Sequence, residues 1–438
     1  MTDMVRNAVA PGGPTAPDRP EPHPVLARAF RALDHGGVAW ALVRGTDDLA
    51  RPTGDVDLLV DAGSLPLLDG LLAPAGLRRL GVRGHGSHRF YFAYDPAADL
   101  WIKLDVVTVV AFGRHQQLHS PLAAGCLSRR RREGSLWRLA PVDEAWLLLL
   151  HLLLDKGHIA PARRDLARAA AGHARLDAPV ARALDEVAGP GSAALVLAAV
   201  DGDGVAAGQQ LFRNWVRRSP APVAARYAAR RLARRLAVAA PGHPAGLVVA
   251  VVGPDGAGKS TLTDAVRGTF PTPAETVYMG LWQESPWDAR LRHLPAARVA
   301  TRIGRALRAS ATAHLHRRRR RLVLLDRAPQ DALLPGAPTP GRGGRIVSAL
   351  ALRLGPQPDL ALVLDAPGEV MFARKGEHSV EVLEARRHDY LALAPAFRHS
   401  AVLDATRPAD QVRSRALAAI WDALTGPGPA PATRGGSQ

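Results

Sequence analysis

Residues 247–262 read Leu-Val-Val-Ala-Val-Val-Gly-Pro-Asp-Gly-Ala-Gly-Lys-Ser-Thr-Leu: an unbroken apolar run, a glycine-rich turn, then a stretch able to start a helix. A strand with no polar face must lie inside a sheet covered on both sides, and a helix following it implies a parallel crossover. The turn Gly253-Pro254-Asp255-Gly256-Ala257-Gly258-Lys259-Ser260 fits the spacing G-x-x-x-x-G-K-[ST]. Its glycines let backbone N–H groups turn inward around phosphates, and the helix behind it adds its positive N-terminus. In such a loop Lys259 reaches the β- and γ-phosphates, the Ser260 hydroxyl ligates Mg²⁺, and Thr261 continues the first turn. ATP and Mg²⁺ are the expected ligands.

The same pattern continues downstream. Apolar strands are expected at Leu247–Val252, Thr276–Met279, Leu322–Leu325, Leu360–Leu364 and Ala401–Leu403, separated by helical stretches. Upstream, Val38–Val43, Val56–Val60, Phe90–Tyr94 and Trp101–Val110 are rich in β-branched and aromatic residues and also predict strands. Residues 140–240 are Ala/Leu/Arg-rich and predict helices. The expected class is therefore α/β: a C-terminal parallel sheet with helices on both faces, an N-terminal α+β unit and a helical middle segment. The boundaries read as a disordered 1–24, a mixed unit at 25–120, helices at 121–240, a linker at Pro241–Ala245, the parallel unit at 246–425 and a disordered tail at 426–438.

Within the C-terminal half, a carboxylate inside the phosphate loop is the distinguishing residue. With Asp255 in the pattern G-x-[DE]-x-x-G-K-[ST]-T, the segment resembles the thymidylate kinase family, in which this carboxylate contacts the sugar hydroxyl of the acceptor nucleotide. The strand Arg321-Leu-Val-Leu-Leu-Asp326-Arg327 resembles that family's strand ending in Asp-Arg. The resemblance puts Asp326 at the sheet edge near Mg²⁺ and Arg327 on the acceptor phosphate, where a guanidinium fork binds two oxygens at once. Pro358–Pro367 resembles the next strand, while Glu369–Glu377 and Arg386–Tyr390 resemble the lid and its following helix. That implies Arg374, Lys375 and Arg387 as cations closing on the transferred group. The likeness spans about 180 residues, 247 to about 424. One departure stands out. The stretch Thr276–Gln283 lacks the Arg-Glu-Pro-Gly-Gly segment that helps build the thymidine site, and Trp282, Gln283 and Trp287 offer themselves instead as acceptor-pocket residues. A nucleoside monophosphate such as dTMP and a sugar or sugar phosphate are thus both open as acceptors.

The N-terminal unit carries Gly54-Asp55-Val56-Asp57, with Asp105 inside the apolar run Ile102–Val107. Aspartates at i and i+2 on a strand face one side, and three converging carboxylates can hold two Mg²⁺ ions. An apolar-Gly-Thr turn (Val43–Thr46), D-x-D and a later lone carboxylate occur here in the order seen in polymerase-β-like nucleotidyltransferases. That likeness covers residues 38 to 110 and implies Asp55, Asp57 and Asp105 as metal ligands, in an enzyme or in a unit that has lost transfer activity.

Charge and composition bound the partners. Lys and Arg total 57 against 40 Asp and Glu, a net charge of +17, yet only four are lysines: Lys103, Lys156, Lys259 and Lys375. An Arg-, Ala-, Gly- and Pro-rich composition is what GC-rich codons produce, which weakens the case for a polyanionic partner. Arg129–Arg132, Arg317–Arg321 and the stripe Arg226/Arg230/Arg234 could face phosphates, Arg317–Arg321 surrounding the kinase-like site and the stripe holding a strand of nucleic acid. Aromatic residues make up only 5%, too few to interleave a base-stacking surface, so nucleic acid is not favoured. A single cysteine, Cys126, excludes an internal disulfide, and no apolar run approaches the ~20 residues of a membrane helix. A cytoplasmic chain without a membrane partner is expected, with a homodimer left open. An ATP-binding module without transfer is the remaining rival.

Overall fold

The computed structural model describes residues 21–44, 48–80, 88–235, 246–278, 295–335, 349–350 and 352–426. The linker at Pro241–Ala245, the two termini, Gly45, Thr46, Trp282, Gln283 and Trp287 lie outside them.

In the C-terminal half the strands are β10 (Val248–Val252), β11 (Ala274–Tyr278), β12 (Leu322–Asp326), β13 (Leu360–Asp365) and β14 (Ser400–Asp404). They form one sheet in the order β11-β12-β10-β13-β14, parallel throughout. Strand alternation explains the all-apolar sequence. Val249, Val251, Leu322, Leu324, Leu360, Leu362 and Leu364 enter one core with the helices Lys259–Thr269 and Ala409–Thr425. Val248, Ala250, Val252, Val323, Leu325, Ala361 and Val363 enter a second core with the helices Pro295–Arg318 and Val380–Leu393. β10 lies in the middle, and the chain crosses to opposite sides of it for β12 and β13. Ligand crevices in open parallel sheets form at the carboxyl edge beside such a reversal.

The N-terminal strands are β1 (Trp40–Arg44), β2 (Val56–Val60), β3 (Arg78–Leu80), β4 (Arg89–Asp95), β5 (Leu100–Val107), β6 (Ala111–Phe112), β7 (Leu118–His119), β8 (Arg131–Glu133) and β9 (Leu136–Arg138). Seven of them make a mixed sheet, β3-β4-β5-β2-β1-β9-β8, and β6 and β7 pair separately. The sheet thus runs past residue 120, where the sequence places its end, because the Arg-rich hairpin β8–β9 attaches beside β1. One sheet face packs on helices Pro24–His35 and Leu68–Leu72. The other face is divided. Phe90, Phe92 and Tyr94 join a core of the C-terminal half, while Ala41 and Leu59 join the core of the helical segment.

Helices run from Pro141–Leu150 to Pro220–Arg235, as the Ala/Leu pattern predicts. The first continues into a π-helical turn, His151–Asp155. No helix among the described residues is long and apolar enough to cross a membrane.

Candidate functional site

The loop Gly253–Gly258 joins β10 to the helix Lys259–Thr269 at the carboxyl edge of the parallel sheet. Gly256 and Gly258 take φ of 85° and 98°, where a side chain would be strained. A Cβ on Gly256 would also lie 2.6 Å from the Met371 carbonyl oxygen. The loop is therefore threaded against the helix Gly368–Lys375, and only glycine fits there. Ser260 and Thr261 stand exposed on the first helical turn.

Lys259 is bent back into this loop. Its ammonium donates to the Gly253 and Pro254 carbonyls at 2.8 and 2.7 Å and lies 3.5 Å from Asp255. Burial lowers its pKa, and the Asp255 charge opposes that shift. Asp255 in turn meets Arg327 at 3.5 Å and Arg386 at 3.6 Å. Burial would raise its pKa, but Lys259, Arg327 and Lys375 hold it below the usual carboxylate value. Three cations thus share one carboxylate, so the edge of the sheet is rich in positive charge aimed at a small volume. Anions of the phosphate type suit it.

Asp326 ends β12 beside Val251 of β10, and Arg327 follows with φ 74°. A non-glycine residue in this region marks strain of the kind that collects at functional sites. The turn swings Arg327 toward Tyr390, whose hydroxyl accepts its N–H at 3.5 Å. Asp331, in the 3-10 turn Pro329–Leu333 just beyond, is 5% exposed, and neither carboxylate oxygen has a hydrogen-bond partner.

The other residues expected to close on the site divide. Arg374 donates to the Ala405 carbonyl at 2.9 Å and lines a 260 Å³ cavity with Ala257, Gly258, Thr261, Leu364 and Arg407. It faces the flank of the loop. Lys375 is half exposed and pairs with Glu377 at 3.1 Å. Arg387 is tied to Asp365 at 2.5 Å and Glu384 at 2.8 Å, so it braces the end of β13, while its neighbour Arg386 is the one that reaches Asp255. Sequence reasoning missed Asp331, and it took Arg386 and Tyr390 only as the ends of a segment, without their contacts to Asp255 and Arg327. Adjacent helical residues point about 100° apart, and nothing in Arg386-Arg387 says which faces the sheet edge.

The run Arg317–Arg321 does not surround this site. Arg317 pairs with Asp359 and Arg321 with Glu275, near the starts of the strands. A five-residue strand puts roughly 16 Å between that edge and Asp326.

No family model matches the chain, and no curated protein matches it.

In the N-terminal sheet, β2 and β5 run parallel with Asp57 opposite Asp105, so two of the three aspartates are neighbours on one face. Asp55, just before β2, pairs with Lys103 at 2.6 Å, and the Lys103 ammonium also sits 4.5 Å over the Phe90 ring. Asp105 is buried with His88 Nδ1 at 2.6 and 2.7 Å from its two oxygens. Among the described residues no group of three His, Cys, Asp or Glu side chains is placed to hold a metal ion. As they stand, Asp55, Asp57 and Asp105 do not fit a two-metal set, because Lys103 and His88 occupy oxygens that a metal would take.

Of the other arginine groups, Arg129, Arg130, Arg132, Arg226 and Arg230 are engaged within the chain, and the Arg234 side chain lies outside the described residues. Arg129 forms a two-pronged contact with the fully buried Asp143 at 3.0 and 3.1 Å. Arg130 lies over the Trp137 ring, and Arg132 meets Asp34. Arg226 donates to the Gln117 carbonyl at 2.8 Å and Arg230 to the His115 carbonyl at 2.5 Å. His151 pairs with Asp155 at 2.6 Å, and Asp155 accepts from the Gly113 N–H.

Proposed function

We propose that the C-terminal half is an ATP-dependent phosphotransferase similar to thymidylate kinases, moving the γ-phosphoryl group to a small acceptor beside Arg327. The observation that carries this reading is the convergence of Lys259, Arg327 and Arg386 on the loop carboxylate Asp255 at the carboxyl edge of a parallel sheet. Lys259, now hydrogen-bonded to loop carbonyls, is a buried cation without a full counter-charge, which an incoming phosphate would supply. The glycine loop and the helix N-terminus fit the phosphates. The cavity along Gly258, Thr261 and Arg374 continues from the loop and suits the rest of the nucleotide.

Ser260 and Asp326 would hold Mg²⁺, which supplies neutralisation of phosphate charge. Lys259 balances charge on the transferring group. Arg327 orients the acceptor, with Tyr390 steadying its guanidinium. Lys375 stands near enough to Asp255 to lower its pKa and so adds to the field that favours an anion. A nucleoside monophosphate such as dTMP is the acceptor the family likeness suggests. A sugar or another alcohol is the second reading, because Thr276–Gln283 lacks the family's thymidine-site segment. For the N-terminal unit no metal-dependent nucleotidyl transfer is assigned.

The test is Lys259→Ala. It should abolish the thermal shift produced by ATP and reduce phosphoryl transfer at least ~100-fold. Unchanged turnover would defeat the assignment.

A further inference from the structure

Asp255 offers two oxygens to three cations. Its Oδ1 faces the Lys259 ammonium and the Arg327 guanidinium, each at 3.5 Å, and its Oδ2 faces Arg386 at 3.6 Å. Charge-assisted hydrogen bonds of this kind run at about 2.7–2.9 Å, so all three contacts are long and the carboxylate satisfies none of the cations fully. The three come from separate elements: the start of the helix Lys259–Thr269, the turn after β12 with its φ of 74°, and the helix Val380–Leu393. The cluster is open to solvent, with side chains exposed by 24% at Asp255, 13% at Lys259, 36% at Arg327 and 42% at Arg386. By contrast, Arg374 is held by the Ala405 carbonyl, and Arg387 by Asp365 and Glu384.

We propose that Asp255 holds the place of a terminal phosphoryl group, and that Arg386 joins Lys259 and Arg327 in receiving that group when it displaces the carboxylate. This rests on the kinase reading above. A terminal phosphoryl group brings three oxygens to three cations, with more charge than a carboxylate, and guanidinium forks match it in pairs of N–H bonds. Lys259 and Arg386 then turn from Asp255 to the phosphate. Like charge repels the carboxylate from the incoming group, so binding and release of Asp255 are one event. Two ligands carry such a group, ATP at its γ-position and a monophosphate acceptor, and both meet these cations by the same chemistry.

Calorimetric titration of the full chain in Mg²⁺ buffer tests this, with ATP, ADP, tripolyphosphate, dTMP and glucose 6-phosphate as probes. Arg386→Ala trims an exposed side chain and should weaken ATP or one of the monophosphates about tenfold or more. Asp255→Asn should tighten the same probe about tenfold or more. Without any probe it should unfold at a lower temperature than wild type, because three cations lose their shared counter-charge. A carboxylate that only repels phosphate from a distance would, when removed, tighten binding without that loss. Effects on ATP and tripolyphosphate but not ADP assign the place to the γ-phosphoryl group; effects on dTMP or glucose 6-phosphate assign it to the acceptor's phosphate. If Asp255→Asn does not fold, Arg386→Ala decides alone. Unchanged affinities in Arg386→Ala, or an Asp255→Asn protein that binds no probe more tightly or is as stable as wild type without one, overturn the proposal and leave ATP use intact. Absence of any ATP binding by wild type overturns the kinase reading and this proposal with it.

Discussion

Asp255 and Asp331 lie at the same sheet edge and behave oppositely, and the difference is one of partners. Asp255 is surrounded by Lys259, Arg327 and Arg386 and stays ionised. Asp331 has no hydrogen-bond partner, and burial raises its pKa from 3.8 to about 6. The second shift has a consequence for stability. As pH rises above 3.8 the unfolded chain loses this proton first, while the folded chain keeps it until about 6. Stability therefore falls between those values and is level above them. Asp331→Asn removes the effect, so it should raise the unfolding free energy at pH 7 by about 2–3 kcal/mol and by almost nothing below about pH 4. Denaturant titrations at the two pH values measure this, and an equal gain at both would show that the burial penalty is not its source. The loop Gly253–Gly258 was legible from sequence because an apolar strand, closely spaced glycines and a helix start follow one another there. Asp331 was not, since an aspartate in Ala-Pro-Gln-Asp-Ala reads as an ordinary turn residue until its burial is known.

The strands that sequence located are those whose side chains are buried on at least one face. β2 was placed to the residue, and β10, β12 and β13 to within one. β3, β8 and β9 were missed because three-residue strands carrying arginines show no apolar periodicity; they form by pairing with neighbours already in place. The arginine stripe on the helix Pro220–Arg235 shows the same limit. Sequence gives its spacing, and the fold gives its use, which is to clamp the β6–β7 hairpin. Arg226 and Arg230 hold the carbonyls of Gln117, His115 and Gln116, and Arg230 also contacts His119 at 2.9 Å. Burial first, then Arg226 and Arg230, push the His119 pKa down from 6.5 to about 4. The unfolded chain takes up this proton below 6.5 and the folded chain only near 4, so stability is lost as pH falls through that window. Arg230→Ala should speed amide exchange across residues 111–119 and lift His119 back toward its usual value, read by exchange mass spectrometry and by proton titration in NMR. Unchanged exchange would mean that the hairpin is held by Asp155 and the core alone.

The N-terminal sheet and the C-terminal half meet through aromatic packing. Trp101 stacks obliquely on Tyr94 at 4.7 Å and edge-on against Phe270 at 5.5 Å and Trp421 at 5.2 Å. Around it, the Tyr94 hydroxyl donates to Asp99 at 2.6 Å and contacts Ser414 Oγ at 3.0 Å, and Arg413 pairs with Asp99. The Trp101 indole N–H has no partner, so the ring is held by packing alone. Each such aromatic contact is worth about 0.5–1.5 kcal/mol beyond area burial, and truncating a well-packed Trp costs about 3–5 kcal/mol. That loss falls on the contact between the units more than on either core, because the three aromatic partners come from both sides of it. In wild type, ATP bound to the C-terminal half should therefore also raise the unfolding temperature of the N-terminal sheet. In Trp101→Ala the coupling should be lost: calorimetry should resolve two transitions, and ATP should move only one of them. A single transition in Trp101→Ala that ATP shifts as in wild type would show that the remaining Tyr94, Ser414 and Arg413 contacts suffice to join the two.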